Sequence, residues 1–262
     1  MRAAMNLLRP QSGKYETVDL AVFLDVDRCM YNTEKAFRLL ADVTGDVTSY
    51  KTDDFLASYD LSKREKTSFN YVSDINRVLG DGVYQTQVEP AFIEAATVED
   101  LRMPGATEII EYLERESVPF GFVTFAYSSK DHTSQSWLDA YDGQIGKCRA
   151  AGYDQYPHLV CDDLRKGDLF QRWLRGRELW VPSELSPWEE SYVARHAVLL
   201  DDKAAAHVGS PKQVSGIHVV PADTENAIVA QRGHVPERTV SVNGLTEALG
   251  ALKHIVSMQR SK

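Results

Sequence analysis

The sequence has little cysteine and no run that could anchor it in a membrane. Its three cysteines, Cys29, Cys148 and Cys161, are widely spaced and form no CxxC pair. This pattern argues against a disulfide framework and a zinc site, and it fits a reducing cytoplasm. No apolar run approaches the roughly 18 residues that a membrane span needs, and the first 14 residues lack the core of a signal peptide. We therefore expect a cytoplasmic protein with no membrane partner.

Clustered positive charge is also missing. The formal net charge is -9, with 43% hydrophobic and 26% charged residues. These proportions are ordinary for a globular protein that folds alone. A nucleic-acid binder would show a basic face or tail, so we expect no nucleic-acid partner. The sequence leaves the oligomeric state open.

Short apolar runs alternate with helical patterns along the chain. Residues 106–116 and 244–257 carry apolar stripes at helical spacing, whereas residues 174–196 are predicted as an irregular excursion followed by a short helix. Five runs have the composition of strands buried on both faces: residues 18–24, 120–123, 158–161, 197–200 and 217–220. The alternation predicts an α/β fold whose core is a Rossmann-like, doubly wound parallel sheet.

One long segment, residues 32–100, contains no buried strand pattern. Within it, Ser62 and Glu65 have the spacing of a capping box ahead of an apolar stripe, and Gly80 stops that stripe. We predict an all-helical cap inserted after the first strand. The expected division is an N-terminal arm, a core in two pieces and a cap: 1–17, 18–31 with 101–262, and 32–100.

The strongest chemical signal is a pair of carboxylates after the first strand. Asp25 and Asp27 leave the strand one residue apart, and strand alternation would place their side chains on the same side. The same two aspartates would also be found if one formed a turn and the other capped a helix. In an open α/β sheet, however, ligands bind beyond the carboxyl ends of the strands.

Four more residues fall at the same predicted edge. Thr124 ends the second strand, Lys166 begins a helix, and Asp201 and Asp202 follow the fourth predicted strand. Taken singly, a threonine here is usually a β-former and a lysine a solvated charge. Taken with Asp25 and Asp27, they bring carboxylates, a hydroxyl and an ammonium to one place.

In this order the segments resemble the four motifs of the haloacid dehalogenase-like superfamily, and the resemblance runs from residue 18 to the end. The stretch 103–124 resembles members that have a helical cap. The resemblance implies that Asp25 attacks phosphorus to form an aspartyl-phosphate and that Asp27 acts as general acid and base. It also implies that Thr124 bonds a phosphoryl oxygen and that Lys166 neutralises charge.

The resemblance implies a Mg²⁺ site as well, because neighbouring carboxylates repel an anionic phosphate. Asp25, Asp202 and the backbone carbonyl of Asp27 could hold the ion, with Asp201 as a further candidate. Ala206 stands where another form of the last motif has a carboxylate, so the sequence has the double-aspartate form. Which of Asp201 and Asp202 binds metal directly is left open.

Two residues depart from the family pattern. Arg28 and Cys29 stand where many members have a small or polar residue followed by Thr or Val. Arg28 could bind an anionic part of the substrate or point to solvent, and Cys29 could pack or lie near the site.

The expected activity is that of a phosphatase. The presence of Asp27 favours reaction at phosphorus over cleavage of a carbon–halogen bond. A cap that closes over the cleft favours a small phosphorylated metabolite as the substrate. A phosphomutase would keep the same core residues. The remaining alternative is a non-catalytic protein that binds a phosphorylated ligand or a partner.

Overall fold

The structure is a computed structural model that describes residues 15–65, 69–126, 134–162, 165–220 and 236–260. One sheet contains eight strands: β1 (Thr17–Leu24), β2 (Phe120–Phe125), β3 (His158–Cys161), β4 (Leu174–Arg175), β5 (Glu178–Val181), β6 (Tyr192–Asp201), β7 (Val214–Val220) and β8 (Thr239–Asn243). The described residues also form eight α-helices: α1 (Thr33–Val47), α2 (Thr52–Glu65), α3 (Tyr71–Leu79), α4 (Glu89–Ala96), α5 (Ala106–Arg115), α6 (Ser134–Ala150), α7 (Lys166–Trp173) and α8 (Gly244–Arg260).

Six strands form a parallel sheet in the order β3-β2-β1-β6-β7-β8. The predicted α/β class and parallel sheet are therefore confirmed, and each of the five predicted strands is present. The additional strand β8 lies at the edge and is more exposed, so its sequence lacks the continuous apolar run of the central strands.

Both faces of the central strand β1 are buried. Val22 and Leu24 pack in the cluster that includes α5 and α8, through residues such as Leu113. Ala21 and Phe23 face the opposite way and pack in the cluster that includes α7. Side chains alternate across a strand, so helices on both faces demand the continuous apolar run seen in the sequence.

The prediction for residues 174–196 is wrong. Strands β4 and β5 form an antiparallel hairpin, turning at Gly176, whose φ is +63°. Strand β5 then pairs with the first residues of β6, and β6 begins at Tyr192, where a helix was predicted. Leu179 and Val181 are buried, and the alternation of these two residues is a strand pattern.

After β1, the described residues among 33–96 form the helices α1 to α4, with a π-helical turn at Tyr84–Val88, and together they are the helical segment. The predicted capping box is wrong because α2 continues through Glu65, and the Ser62 hydroxyl donates to the Tyr59 carbonyl. The side chain of Asn70 caps α3 instead, and Gly80 ends it as predicted.

This helical segment packs on the core helix α6. The Tyr71 hydroxyl donates to the Gly143 carbonyl, and the Ser73 hydroxyl donates to Asp139 at 2.7 Å. The boundaries 32–100 for a separate cap domain remain a prediction.

Of the predicted arm, residues 1–14 lie outside the described part of the chain. Glu16 and Thr17 belong with the sheet, since the Val193 N–H donates to the Glu16 carbonyl at 2.9 Å and Thr17 pairs with Val193. In the described residues, every helix is too short or too polar to cross a membrane.

Candidate active site

The carboxyl ends of β1 and β6 lie level with each other. Leu24 pairs with Leu200, and the Asp25 N–H donates to the Leu200 carbonyl at 2.9 Å. Asp25 therefore leaves β1 beside Asp201 and Asp202. One oxygen from each carboxylate lies within 4.8 Å of the others, and all three residues are at most 3% exposed. The structure thus brings together three of the predicted site residues.

Lys166 lies between two of these carboxylates. Its ammonium contacts Asp25 Oδ1 and lies 2.6 Å from Asp201 Oδ2. Lys166 reaches this depth because it begins α7 and is followed by Gly167, which packs directly against the backbone of Val208 and Ser210. A β-carbon at Gly167 would collide with that backbone, so α7 could not come so close.

The electrostatics of the cluster follow from burial and from this one ammonium. Burial alone would lower the pKa of Lys166, but Asp201 and Asp25 hold it above its usual value. Burial raises the pKa of Asp25 and of Asp202. It acts on Asp201 in the same direction, but Lys166 outweighs it and lowers the Asp201 pKa. Asp201 is therefore the carboxylate that Lys166 compensates best.

Several carboxylate oxygens in the cluster lack a donor. Asp25 Oδ2 and both oxygens of Asp202 are buried with no hydrogen-bond partner among the described residues. Buried carboxylate oxygens without donors are costly, and a cation that binds them removes the cost. Hard carboxylate oxygens are the ligands that Mg²⁺ prefers. The residues present therefore fit the predicted metal.

The same contacts bear on the choice between Asp201 and Asp202. Both oxygens of Asp201 have donors, since Oδ2 faces Lys166 and Oδ1 accepts from the Lys203 N–H at 2.8 Å. Neither oxygen of Asp202 has a donor within the residues that the structure describes. Asp202 is therefore the better candidate for a direct ligand.

Asp27 lies apart from this group. Its carboxylate accepts from Lys147 Nζ at 2.7 and 2.9 Å, from Thr33 Oγ1 at 2.9 Å and from Gln144 Nε2 at 3.1 Å. Burial alone would raise the pKa of Asp27, but Lys147 lowers it well below its usual range. The carboxylate is therefore ionised and faces α6. The assignment of the Asp27 backbone carbonyl to the metal shell remains a prediction.

A single amide links Asp27 to Thr124. The Thr124 hydroxyl donates to Gln144 Oε1 at 3.0 Å, and Gln144 Nε2 donates to Asp27. An ionised carboxylate can only accept, so the amide orientation is fixed and Thr124 must be the donor. The hydroxyl that was predicted to bond a phosphoryl oxygen is thus engaged with α6.

Sequence reasoning misses Gln144 and Lys147. Both are at most 8% exposed, and they are three residues apart on one face of α6. That spacing is the available signal, but polar residues on a helix usually face solvent. The contact of Gln144 and Lys147 with Asp27 becomes apparent only when β2 and α6 are placed in three dimensions.

Arg28 and Cys29, the two residues that depart from the family pattern, lie in different environments. Cys29 is fully buried, and burial raises the pKa of its thiol well above the usual value, which makes it unreactive. Arg28 has a φ of +61°, a left-handed backbone that is unusual for a residue with a large side chain.

Solved structures supply the comparison, because no protein-family model and no curated protein matches the sequence. A putative haloacid dehalogenase-like hydrolase from Burkholderia xenovorans LB400 aligns with a TM-score of 0.51 at 13% identity, over 88% of this chain and 95% of that one. The chain has the haloacid dehalogenase-like fold. At this identity the likeness is one of fold.

Other proteins with the haloacid dehalogenase-like fold align over long stretches with lower scores. A haloacid dehalogenase-like family hydrolase from Xanthomonas campestris has a TM-score of 0.44 at 13% identity, over 95% of this chain and 100% of that one. A putative beta-phosphoglucomutase from Thermotoga maritima has a TM-score of 0.43 at 16% identity, over 90% and 99%.

Proposed function

We propose that the chain is a Mg²⁺-dependent phosphatase that hydrolyses a small phosphorylated metabolite through an aspartyl-phosphate on Asp25. The main support is the arrangement around Lys166. Its ammonium is shared between Asp25 and Asp201, beside oxygens of Asp25 and Asp202 that have no donor in the described part of the chain. A purely structural cluster would be expected to pair these oxygens.

In the first half of the proposed reaction, the Asp25 carboxylate attacks phosphorus. The bond from phosphorus to the leaving oxygen breaks, and its electron pair stays on that oxygen. Lys166 holds Asp25 in place and offsets negative charge on the transferring group. In the second half, water attacks phosphorus, the bond to Asp25 breaks, and inorganic phosphate leaves.

Asp27 is the proposed proton-transfer residue, and its surroundings favour one half of that role. Because Lys147 keeps the carboxylate ionised, Asp27 is suited to take a proton from the attacking water. Protonating the leaving oxygen requires Asp27 to gain a proton first, against the pull of Lys147. Substrates with a leaving group that is stable as an anion are therefore favoured.

Asp25 and Asp202 would hold the Mg²⁺. When bound, this ion supplies positive charge that offsets repulsion between the carboxylates and the phosphate. The helical segment would act as the cap over the site, which favours a small substrate. A cytoplasmic location is part of the proposal, and the three buried free cysteines are compatible with it.

The test is hydrolysis of a panel of small phosphate esters with Mg²⁺ and with excess EDTA, by the wild type, Asp25→Asn and Asp54→Asn. Asp54 is an exposed acid in α2, so its variant is a matched control for charge. We expect metal-dependent turnover that Asp25→Asn abolishes and Asp54→Asn retains. Unchanged turnover by Asp25→Asn, or in EDTA, would contradict the proposal.

The panel also addresses the alternatives. Binding of inorganic phosphate without turnover of any ester would favour the non-catalytic protein. Transfer of the phosphoryl group to another position of the same sugar, with no free phosphate, would favour the phosphomutase.

A further inference from the structure

Arg28 is held in a backbone conformation that disfavours it. Among the described residues, Arg28, Ser117 and Glu189 are the non-glycine residues with positive φ. Glycine would adopt this conformation without strain. A large side chain kept in a strained turn, one residue after Asp27, calls for a functional explanation.

The Arg28 side chain lies between the sheet edge and the helical segment. Its Nη2 is 3.4 Å from Glu34 Oε1 in α1, and Tyr59 of α2 donates to the same oxygen at 2.8 Å. The charges of Asp202 and Asp27 also act on the guanidinium. Arg28 therefore lies next to the carboxylate cluster and makes its polar contacts with the helical segment.

The guanidinium has donors to spare. It carries five N–H groups in a planar fork, and its partners among the described residues are Glu34, through one long hydrogen bond, and the Tyr59 hydroxyl. Its Nε is buried with no partner there. A planar fork with unused donors matches the geometry of a carboxylate or a phosphate.

We infer that Arg28 binds a second anionic group of the substrate, a carboxylate or a phosphate, on the leaving-group side of the scissile bond. This inference rests on the proposed phosphatase function. Glu34 is the partner of Arg28 when that group is absent, and it competes with the group for the same N–H donors. The preferred substrates are thus phosphate esters of small acids or small bisphosphates.

The experiment compares three esters of similar size: 2-phosphoglycolate, ethylene glycol bisphosphate and 2-hydroxyethyl phosphate. They carry a carboxylate, a phosphate and a neutral hydroxyl on the leaving group. We expect kcat/KM of the wild type to be at least about tenfold higher for one anionic ester than for the neutral one. The preferred ester identifies the anion.

The deciding variants are Arg28→Gly and Glu34→Gln. Arg28→Gly keeps the backbone hydrogen bonds and relieves the strain, so we expect the variant to fold. Its preference for the anionic ester over the neutral ester should fall at least about tenfold, mainly through a higher KM for the anionic ester. Glu34→Gln removes the competing carboxylate and is expected to lower KM for the anionic ester. Glu189→Gly relieves the same strain in an exposed turn and should leave the preference unchanged.

Two results would overturn the inference. One is a loss by Arg28→Gly of the same factor on all three esters. The other is a rise in KM with Glu34→Gln, which would show that the Arg28–Glu34 contact is structural. Calorimetric binding of the three esters to Asp25→Asn protein, with and without Arg28→Gly, decides the same question without turnover. If no ester is hydrolysed, the proposed function fails, and binding still tests Arg28.

Discussion

Lys147 donates to both carboxylate oxygens of Asp27, from a position 120 residues further along the chain. With Thr33 on one oxygen and Gln144 on the other, each oxygen accepts two hydrogen bonds. An ionised carboxylate offers about four acceptor positions, so all of those on Asp27 are occupied. A proton can reach Asp27 only when one of these donors moves away.

The first prediction concerns Lys147→Met. Because Lys147 keeps Asp27 ionised, the wild type should depend strongly on its leaving group, with kcat/KM at least about 100-fold higher for p-nitrophenyl phosphate than for ethyl phosphate. Without the ammonium, the pKa of Asp27 rises, because Lys147 no longer offsets the effect of burial. We expect Lys147→Met to lower the ratio of kcat/KM for p-nitrophenyl phosphate to kcat/KM for ethyl phosphate about tenfold, measured from initial rates at a mildly acidic pH.

Two controls accompany this measurement. Lys147→Arg keeps the charge and should keep the ratio. Arg149→Met removes an exposed cation of the same helix that pairs with the buried Glu89 and not with Asp27, and it should also leave the ratio unchanged. A ratio that is the same in Lys147→Met and the wild type would mean that Lys147 does not control proton transfer at Asp27.

The second prediction concerns the link between Thr124 and Gln144. Thr124→Val and Gln144→Leu each break the same hydrogen bond, so their effects on the free energy of unfolding should not add. We expect a coupling of about 1 kcal/mol in a double-mutant cycle measured by urea unfolding. Thr124→Val combined with Gln155→Leu, an exposed residue, should be additive. Additivity in both cycles would show that the Thr124–Gln144 bond does not form in solution.

The residues that the sequence identifies and those it misses differ for a physical reason. Asp25, Asp201 and Asp202 are at the ends of buried parallel strands, and such ends meet at one edge whatever the rest of the chain does. Lys166 follows the same logic at the start of the helix after β3. Local pattern and sheet topology together were enough to predict this cluster.

Gln144 and Lys147 depend on tertiary structure. Their place against Asp27 requires α6 to pack with its polar face inward, between the sheet and the helical segment. Nothing local in the sequence distinguishes this face from a solvated one. The failed capping box is a similar case, because Ser62 matches the motif while the surrounding residues continue α2.

The third prediction concerns stability in the absence of metal. Burial raises the pKa of Asp202 and Asp25, so the folded protein holds these protons more tightly than the unfolded chain. The stability gained from that protonation is present below the ordinary pKa and is lost as the pH rises through the raised one. Burial lowers the pKa of His207 to about 4, which acts in the opposite direction up to about pH 6.5, but the two aspartates outweigh one histidine, so we expect the melting temperature in EDTA to fall overall between about pH 5 and pH 8. The lowered pKa of Asp27 acts only below about pH 4 and does not affect this window.

The variant Asp202→Asn isolates the contribution of the Asp202 carboxylate to this pH dependence of stability. The variant replaces a buried carboxylate, which has no donor among the described residues, with a neutral amide. At about pH 8 it should therefore be more stable than the metal-free wild type by roughly 1–3 kcal/mol. Added Mg²⁺ should stabilise the wild type and leave the variant unchanged. Asp54→Asn should follow the wild type in both respects. A wild type whose stability does not depend on pH or Mg²⁺ would count against a cation at this site.

The last prediction concerns the glycine that lets Lys166 reach its place. In Gly167→Ala, the new methyl group would lie 2.5 Å from the Ser210 N and collide with the Val208 carbonyl. Backbone atoms cannot move aside as a flexible side chain can, so α7 must shift and carry the Lys166 ammonium away from Asp25. We expect the free energy of unfolding to fall by roughly 1–3 kcal/mol and hydrolysis to fall at least about tenfold. Gly250→Ala, at an exposed position of α8 with open space around it, should instead stabilise the protein by about 0.5–1 kcal/mol and leave hydrolysis unchanged. Full activity in a destabilised Gly167→Ala protein would mean that the position of Lys166 tolerates a shift of α7, which contradicts the role proposed for its contacts with Asp25 and Asp201.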